Sequence, residues 1–183
     1  TQQRGGKGVI AFEGQNSEDF LAKIISANTK DYLLFFTDKG KVYQSLVYDI
    51  NESSRSAKGK AIQNFINIDP SETITAVLSY NPQKTGNHRF LIMATKNGII
   101  KKTKIDEFAN IRKTGLVAIN LEKNDILQWT SFSSGDDYVI LVTQNGQSIC
   151  ISEKDIRAMG RATSGVCGIK LNKDDFVIGL NIV

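Results

Sequence analysis

A chain of 183 residues, 40% of them hydrophobic, has room for one large or two small domains and enough apolar side chains to build a core. No stretch approaches the roughly 18–20 apolar residues that span a bilayer, and the polar, glycine-rich start carries no apolar signal segment. A net charge of +4 admits a polyanionic partner only if the cations are segregated. Two cysteines, Cys150 and Cys167, are too few for a disulfide scaffold and point to a reducing, cytoplasmic compartment.

The chain opens at Thr1 rather than Met, which reads as a fragment of a longer protein. Gln2-Gln3-Arg4-Gly5-Gly6-Lys7-Gly8 follows, with three glycines and two cations in seven residues. Glycine lets the backbone approach another surface closely, and Arg4 and Lys7 make an anion the natural occupant. An acidic turn at Ser17-Glu18-Asp19 then leads into an expected strand over residues 20–26.

The next stretch sets a pattern that recurs. Residues 32–43, 90–101 and 138–149 each carry an apolar, β-branched and aromatic run, then Thr-x-x-Gly, then a second strand-like run. Thr37-Asp38-Lys39-Gly40, Thr95-Lys96-Asn97-Gly98 and Thr143-Gln144-Asn145-Gly146 are tight-turn chemistry, so three β-hairpins of one design are expected. Residues 105–108 and 153–156 are each expected to form a helical turn after a hairpin. A second glycine loop follows each hairpin, around Gly59, Gly115 and Gly165, and the opening stretch around Gly8 fits the same register. These glycines recur about every fifty residues. After each comes a short strand, an acidic turn (Ser71-Glu72, Asn124-Asp125, Asp174-Asp175) and a further apolar strand, near residues 74–79, 126–131 and 176–183.

A period of this length, all-β, punctuated by glycine and with about four strands per unit, points to a propeller-like ring of four-stranded blades rather than a sandwich. One unit cannot bury its own apolar face, so neighbours must supply the other side. The whole of residues 1–183 reads as one domain.

The cations gather at the glycine loops. Arg55, Lys58 and Lys60 flank Gly59; Lys101, Lys102, Lys104, Arg112 and Lys113 lie between Gly98 and Leu116; Lys154, Arg157 and Arg161 precede Gly165. In a ring these positions fall at equivalent places on the circumference, giving a basic band along one edge. Such a band suits the phosphates of a bent duplex whatever its sequence, and glycine in the loops lets main-chain N–H groups reach phosphate oxygens.

No catalytic constellation is visible. His88, the only histidine, stands in a polar loop. Cys150 and Cys167 lack metal-site spacing, and Cys167, in an apolar strand, is expected in the core. Asp136-Asp137 and Asp174-Asp175 read as turn formers rather than metal ligands. No Walker loop is present. The aromatics sit at strand positions and read as core rather than as base-stacking platforms.

With these residues in place, the chain resembles the C-terminal β-pinwheel domains of the DNA gyrase A subunit. Gln2 to Gly8 is similar to the glycine-and-cation box of that family, with Gln3 where a cation is usual. Phe35-Phe36-Thr37-Asp38-Lys39-Gly40-Lys41-Val42-Tyr43, Met93-Ala94-Thr95-Lys96-Asn97-Gly98 and Ile156-Arg157-Ala158-Met159-Gly160-Arg161 extend the likeness along the chain. The resemblance implies a ring of six blades, of which about four are covered. It implies non-catalytic, sequence-tolerant binding and wrapping of double-stranded DNA, in support of ATP-dependent negative supercoiling in the bacterial cytoplasm, at the nucleoid. The expected DNA contacts are Gln2, Gln3, Arg4, Gly5, Gly6, Lys7, Gly8 and the loop cations named above. Expected partners are the rest of the gyrase A subunit, together with the gyrase B subunit, with no membrane. No cofactor is expected in this domain, ATP and Mg being used elsewhere in the holoenzyme, and the DNA-cleaving tyrosine belongs to another domain. The alternatives are the related domain of topoisomerase IV and a propeller acting as a protein-docking platform.

Overall fold

The structure is a computed structural model that describes residues 22–53, 57, 59–83, 86 and 88–183. Three antiparallel hairpins organise it: β1 (Tyr32–Thr37) with β2 (Lys41–Leu46), β4 (Phe90–Thr95) with β5 (Ile99–Lys104), and β8 (Tyr138–Thr143) with β9 (Ser148–Ser152). The Thr-x-x-Gly signature has a direct physical cause. In each turn the glycine N–H donates to the threonine carbonyl, at 2.9 Å for Gly40, 3.2 Å for Gly98 and 3.1 Å for Gly146. The buried threonine hydroxyl accepts the N–H one residue past the glycine, as Ile99 N does to Thr95 Oγ1 at 3.1 Å and Gln147 N to Thr143 Oγ1 at 3.2 Å.

Each hairpin gains an inner strand from later in its own unit: β3 (Ile74–Tyr80) on β1, β7 (Leu127–Ser133) on β4, and β11 (Val177–Ile182) on β8. The fourth strand comes from the next unit. β6 (Leu116–Val117) adds to β2, and β10 (Val166–Cys167) adds to β5. The sheets therefore run β3-β1-β2-β6, β10-β5-β4-β7 and β11-β8-β9. The exchange is reinforced at the turns. Ala118 and Ile119 N–H donate to Gly40 O at 2.8 and 3.1 Å, and Gly168 and Ile169 N–H to Gly98 O at 2.8 and 3.2 Å.

The cores lie between sheets, as expected of units that cannot bury their own faces. Leu34, Phe36 and Val42 of the first sheet pack with Leu91, Met93, Phe108, Ile119 and Leu127 of the next unit. Phe36 and Phe108 meet edge to face, with centroids 6.5 Å apart. Ile92, Ile100, Val139 and Ile156, then Ala94, Leu141, Ile169 and Val177, fill the second junction. Each fully buried Leu, Ile, Val or Phe contributes about 1.5–3 kcal/mol.

The acidic turns brace the hairpins. Asp125 Oδ1 accepts from Asn97 N at 3.0 Å and Ile126 N at 2.8 Å, and Asp175 Oδ1 from Asn145 N at 3.1 Å and Phe176 N at 2.9 Å. At the other end of the first sheet, buried Asp31 ties the start of β1 to the end of β3. It accepts from Asn28 N at 2.7 Å and from Asn81 Nδ2 at 2.7 Å. The Asn28 N–H, then the Asn81 amide, hold this carboxyl below the usual aspartate range. A carboxyl whose folded pKa is depressed stabilises above its unfolded value, and that contribution fades as pH falls through the folded value. The urea midpoint should therefore drop between pH 5 and pH 3, and Asp31→Asn should drop less over that interval; equal acid sensitivity would show that Asp31 is not a source of it.

Several expectations are corrected. Residues 22–26 form no strand, and Ile24 is 80% exposed. No strand follows Gly59. A 3₁₀ turn at Ile62–Asn64 stands there instead, because a strand needs an edge to pair with and this segment pairs with none among the described residues. Cys167 is exposed, since β10 is a two-residue outer strand with one covered side. The described residues make three sheets, and the segments of an earlier unit in residues 1–21 lie outside them. The expected helical turns are present as 3₁₀ turns at Ile105–Phe108 and Glu153–Asp155.

Candidate nucleic-acid interface

β7 lies against β3 on one side and β11 on the other, so the last strand of each unit faces the centre. The sheet order then places β6 and β10 on the outer circumference. The glycine loops that feed these strands are accordingly rim loops. In the first, Gly115 N donates to Arg112 O at 2.9 Å. In the second, Met159 N donates to Lys102 O at 2.8 Å and Thr163 Oγ1 to Gly160 O at 2.9 Å. Gly165 ends that loop at φ +95°, and a Cβ there would stand 2.6 Å from Ile100 O. Only glycine fits so close a crossing.

The structure divides the expected contact residues into three groups. Lys60, Lys104, Arg112, Lys113, Lys154 and Arg157 are exposed, and Arg161 is half-buried. Arg112 and Lys113 stand on the first rim loop, and Arg157 and Arg161 on the second. Lys154 pairs with Asp136 at 3.3 Å, and Arg161 Nε stands 3.6 Å from Glu107. Such exposed pairs are worth little and do not withdraw the cations from an anionic partner. Lys60, Lys104, Arg112, Lys113 and Arg157 form no ion pair with another described residue.

The second group points inward. Lys101 is fully buried, and its ammonium donates to Ala118 O at 2.8 Å, Thr163 O at 3.1 Å and Arg161 O. Burial, with the Arg161 guanidinium nearby, lowers its pKa to about 8, while the three carbonyls favour the charged form. Lys102 is buried on the opposite face of β5. It donates to Glu153 O at 2.7 Å, lies 3.6 Å from Glu153 Oε1 and sits over the Phe90 ring at 4.9 Å. These two ammonium groups are spent inside the protein, contrary to their expected place on the rim. The third group, Gln2, Gln3, Arg4, Gly5, Gly6, Lys7 and Gly8 with Arg55 and Lys58, lies outside the described residues.

Counting only cations missed polar residues beside them. Gln44, Gln63, Asn64 and Asn67 line an open groove of about 460 Å³ together with Lys113, and amide N–H groups also bind phosphate oxygens. Asn120 holds the second rim loop, its side chain donating to Ala162 O at 2.9 Å and its N–H to Thr163 O at 3.0 Å. Repeat register was the signal that could have found it, since it places Asn120 one residue past the Ile119 that clamps Gly40.

Among the described residues no three His, Cys, Asp or Glu side chains converge as metal ligands. His88 is exposed and stacks on Phe132, with centroids 4.9 Å apart. Cys150 and Cys167 are unpaired. No described helix is long and apolar enough to cross a membrane.

The sequence model of the DNA gyrase C-terminal domain, a beta-propeller, matches residues 31–81, 89–131 and 137–183, one match per hairpin unit. The DNA gyrase A subunit of Mycobacterium bovis is 42% identical over 185 aligned positions, covering 100% of this chain and 22% of that protein. The chain thus spans about a fifth of the length of the curated relatives it matches. The crystal structure of the C-terminal domain of DNA topoisomerase IV superposes with a TM-score of 0.75 at 29% identity, covering 85% of this chain and 48% of that one. A DNA gyrase A C-terminal domain superposes at 0.68 and 25% identity, covering 93% of this chain and 56% of that one.

Proposed function

Because this chain belongs to the DNA gyrase C-terminal β-propeller family, we propose that it binds duplex DNA along its outer rim and bends it, without regard to sequence and without catalysing any step itself. The observation that carries this reading is the placement of Arg112, Lys113, Arg157 and Arg161 on loops that feed the outermost strands. Their cations and loop amides meet a curved phosphate backbone at repeated intervals around the circumference. On sequence alone, Gln2 to Gly8, Arg55 and Lys58, which lie outside the described residues, belong to the same proposed DNA contacts. In the complete enzyme the bent segment is handed to the strand-passing parts of the A and B subunits, in the bacterial cytoplasm. ATP and Mg act there and not in this domain. The wrap biases passage toward negative supercoils.

Phosphate contacts release counterions, so affinity for a duplex of about a hundred base pairs should fall roughly 10³-fold or more between 50 and 200 mM salt. A near-flat salt response would end the proposal. Relaxing a plasmid bound to the protein with a type I topoisomerase should also leave a linking-number change, which simple adhesion without bending would not. The superposition on a topoisomerase IV domain favours a second reading, in which the same rim serves a topoisomerase IV rather than a gyrase. Supercoiling by the reconstituted enzyme separates the two.

A further inference from the structure

Repeat register gives Lys101 a role distinct from contact. Lys101 is the third residue after the turn glycine Gly98; Tyr43 is the third after Gly40. Both are buried, and both lie beneath the rim loop contributed by the following unit. The Tyr43 ring fills the space against Gly115, where a Cβ would stand 2.7 Å from it. The Lys101 ammonium reaches Arg161 O and Thr163 O of the second rim loop and Ala118 O, just past the strand leaving the first. Ile149 holds the same register after Gly146 and is 37% exposed, as β9 has no outer strand among the described residues.

The geometry points to Lys101 as a positioning residue for DNA binding: its ammonium fastens the loop that carries Arg157 and Arg161 to the chain just past the strand leaving the Arg112–Lys113 loop, and so fixes the spacing of two basic loops on the rim. The inference rests on the rim reading above. Position 101 requires a cation because three carbonyls converge there, two from the neighbouring loop and one from Ala118, and an ammonium is the side-chain group with three donors and no acceptor. Asn120 supplies a second fastening of the same loop, so loss of Lys101 should loosen the loop rather than release it.

The test uses the full chain and a fluorescent duplex of about a hundred base pairs, with affinity measured against salt. Lys101→Met keeps the apolar stem and removes all three donors. Affinity at fixed salt should fall about five- to twenty-fold, and the salt slope should become shallower by about one to two, as the Arg157 and Arg161 contacts are lost. The double variant Arg157→Ala with Arg161→Ala should lose as much, and adding Lys101→Met to it should cost no more. Full additivity, or wild-type binding by Lys101→Met beside a weakened arginine variant, would overturn the positioning role. An arginine variant with unchanged affinity and slope would instead remove the rim reading itself. If Lys101→Met does not fold, Lys101→Gln, which retains two donors, should give an intermediate slope, and a wild-type slope would count against the inference.

Discussion

Glu153→Ala is expected to be among the most damaging substitutions in the described part of the molecule, costing about 3–5 kcal/mol. The Glu153 side chain is fully buried between the second and third sheets. It accepts from Ser133 Oγ at 2.8 Å, Gly135 N at 2.9 Å and Asp137 N at 3.3 Å, and it neutralises Lys102. Truncation strands the buried Lys102 ammonium and leaves three donors without their acceptor, and uncompensated buried charge is the larger part of such losses. The thermal midpoint should fall by roughly 6–20 °C for a chain of this size. The first two units mark the way to separate charge from hydrogen bonding. They place Val47 and Ile105 where the third places Glu153, and the first places Gln44 where the second places Lys102. Lys102→Met combined with Glu153→Ile removes both charges and should recover about half of the loss. A double variant no better than Glu153→Ala would assign the effect to the backbone donors instead.

That pair also shows where the sequence stops being legible. Hairpins, turn glycines, acidic turns and the inner strands are set by local chemistry repeated three times, and the fold follows from them. The direction of Lys101 and Lys102 is not local. Alternation puts them on opposite faces of β5, and in an edge or two-layer strand one would face water. Here β5 has neighbours on both edges and packed units on both faces, so every residue from Ile100 to Thr103 is buried. What covers Lys101 is a loop sixty residues later in the chain, and what neutralises Lys102 is a carboxylate fifty-one residues later. The one sequence signal was comparative: a Glu at a repeat position otherwise filled by Val and Ile implies a buried cation nearby. The missing strand after Gly59 and the exposed Cys167 share this cause. Whether a β-capable segment pairs, and how much of it is covered, depends on which edge the preceding unit offers.

The strand exchange can be weighed by comparing two glycines that are alike in sequence and unlike in surroundings. Gly98 and Gly146 each follow Thr-x-Asn, and their φ values are +84° and +82°. Either one replaced by alanine adopts a left-handed backbone, at a cost of about 1–2 kcal/mol. Beyond that the sites part. A Cβ on Gly98 would stand 2.7 Å from Ile169 O and 3.1 Å from Ile169 Cγ2, whereas nothing lies within 4 Å of one on Gly146. The Gly98 carbonyl is also the acceptor for Gly168 and Ile169 N–H, so backing away from the clash loosens the next unit's outer strand. Gly98→Ala should therefore lose about 3 kcal/mol or more, the strain together with broken inter-unit hydrogen bonds, and Gly146→Ala only the strain. Urea midpoints of the two variants measure the difference. Because β10 is shared between units, Gly98→Ala should also increase amide exchange at Val166 to Ile169 selectively, and Gly146→Ala should not. Equal losses in the two variants would mean that the exchanged strand contributes little to joining neighbouring units, and that the inter-sheet cores hold the ring segment together.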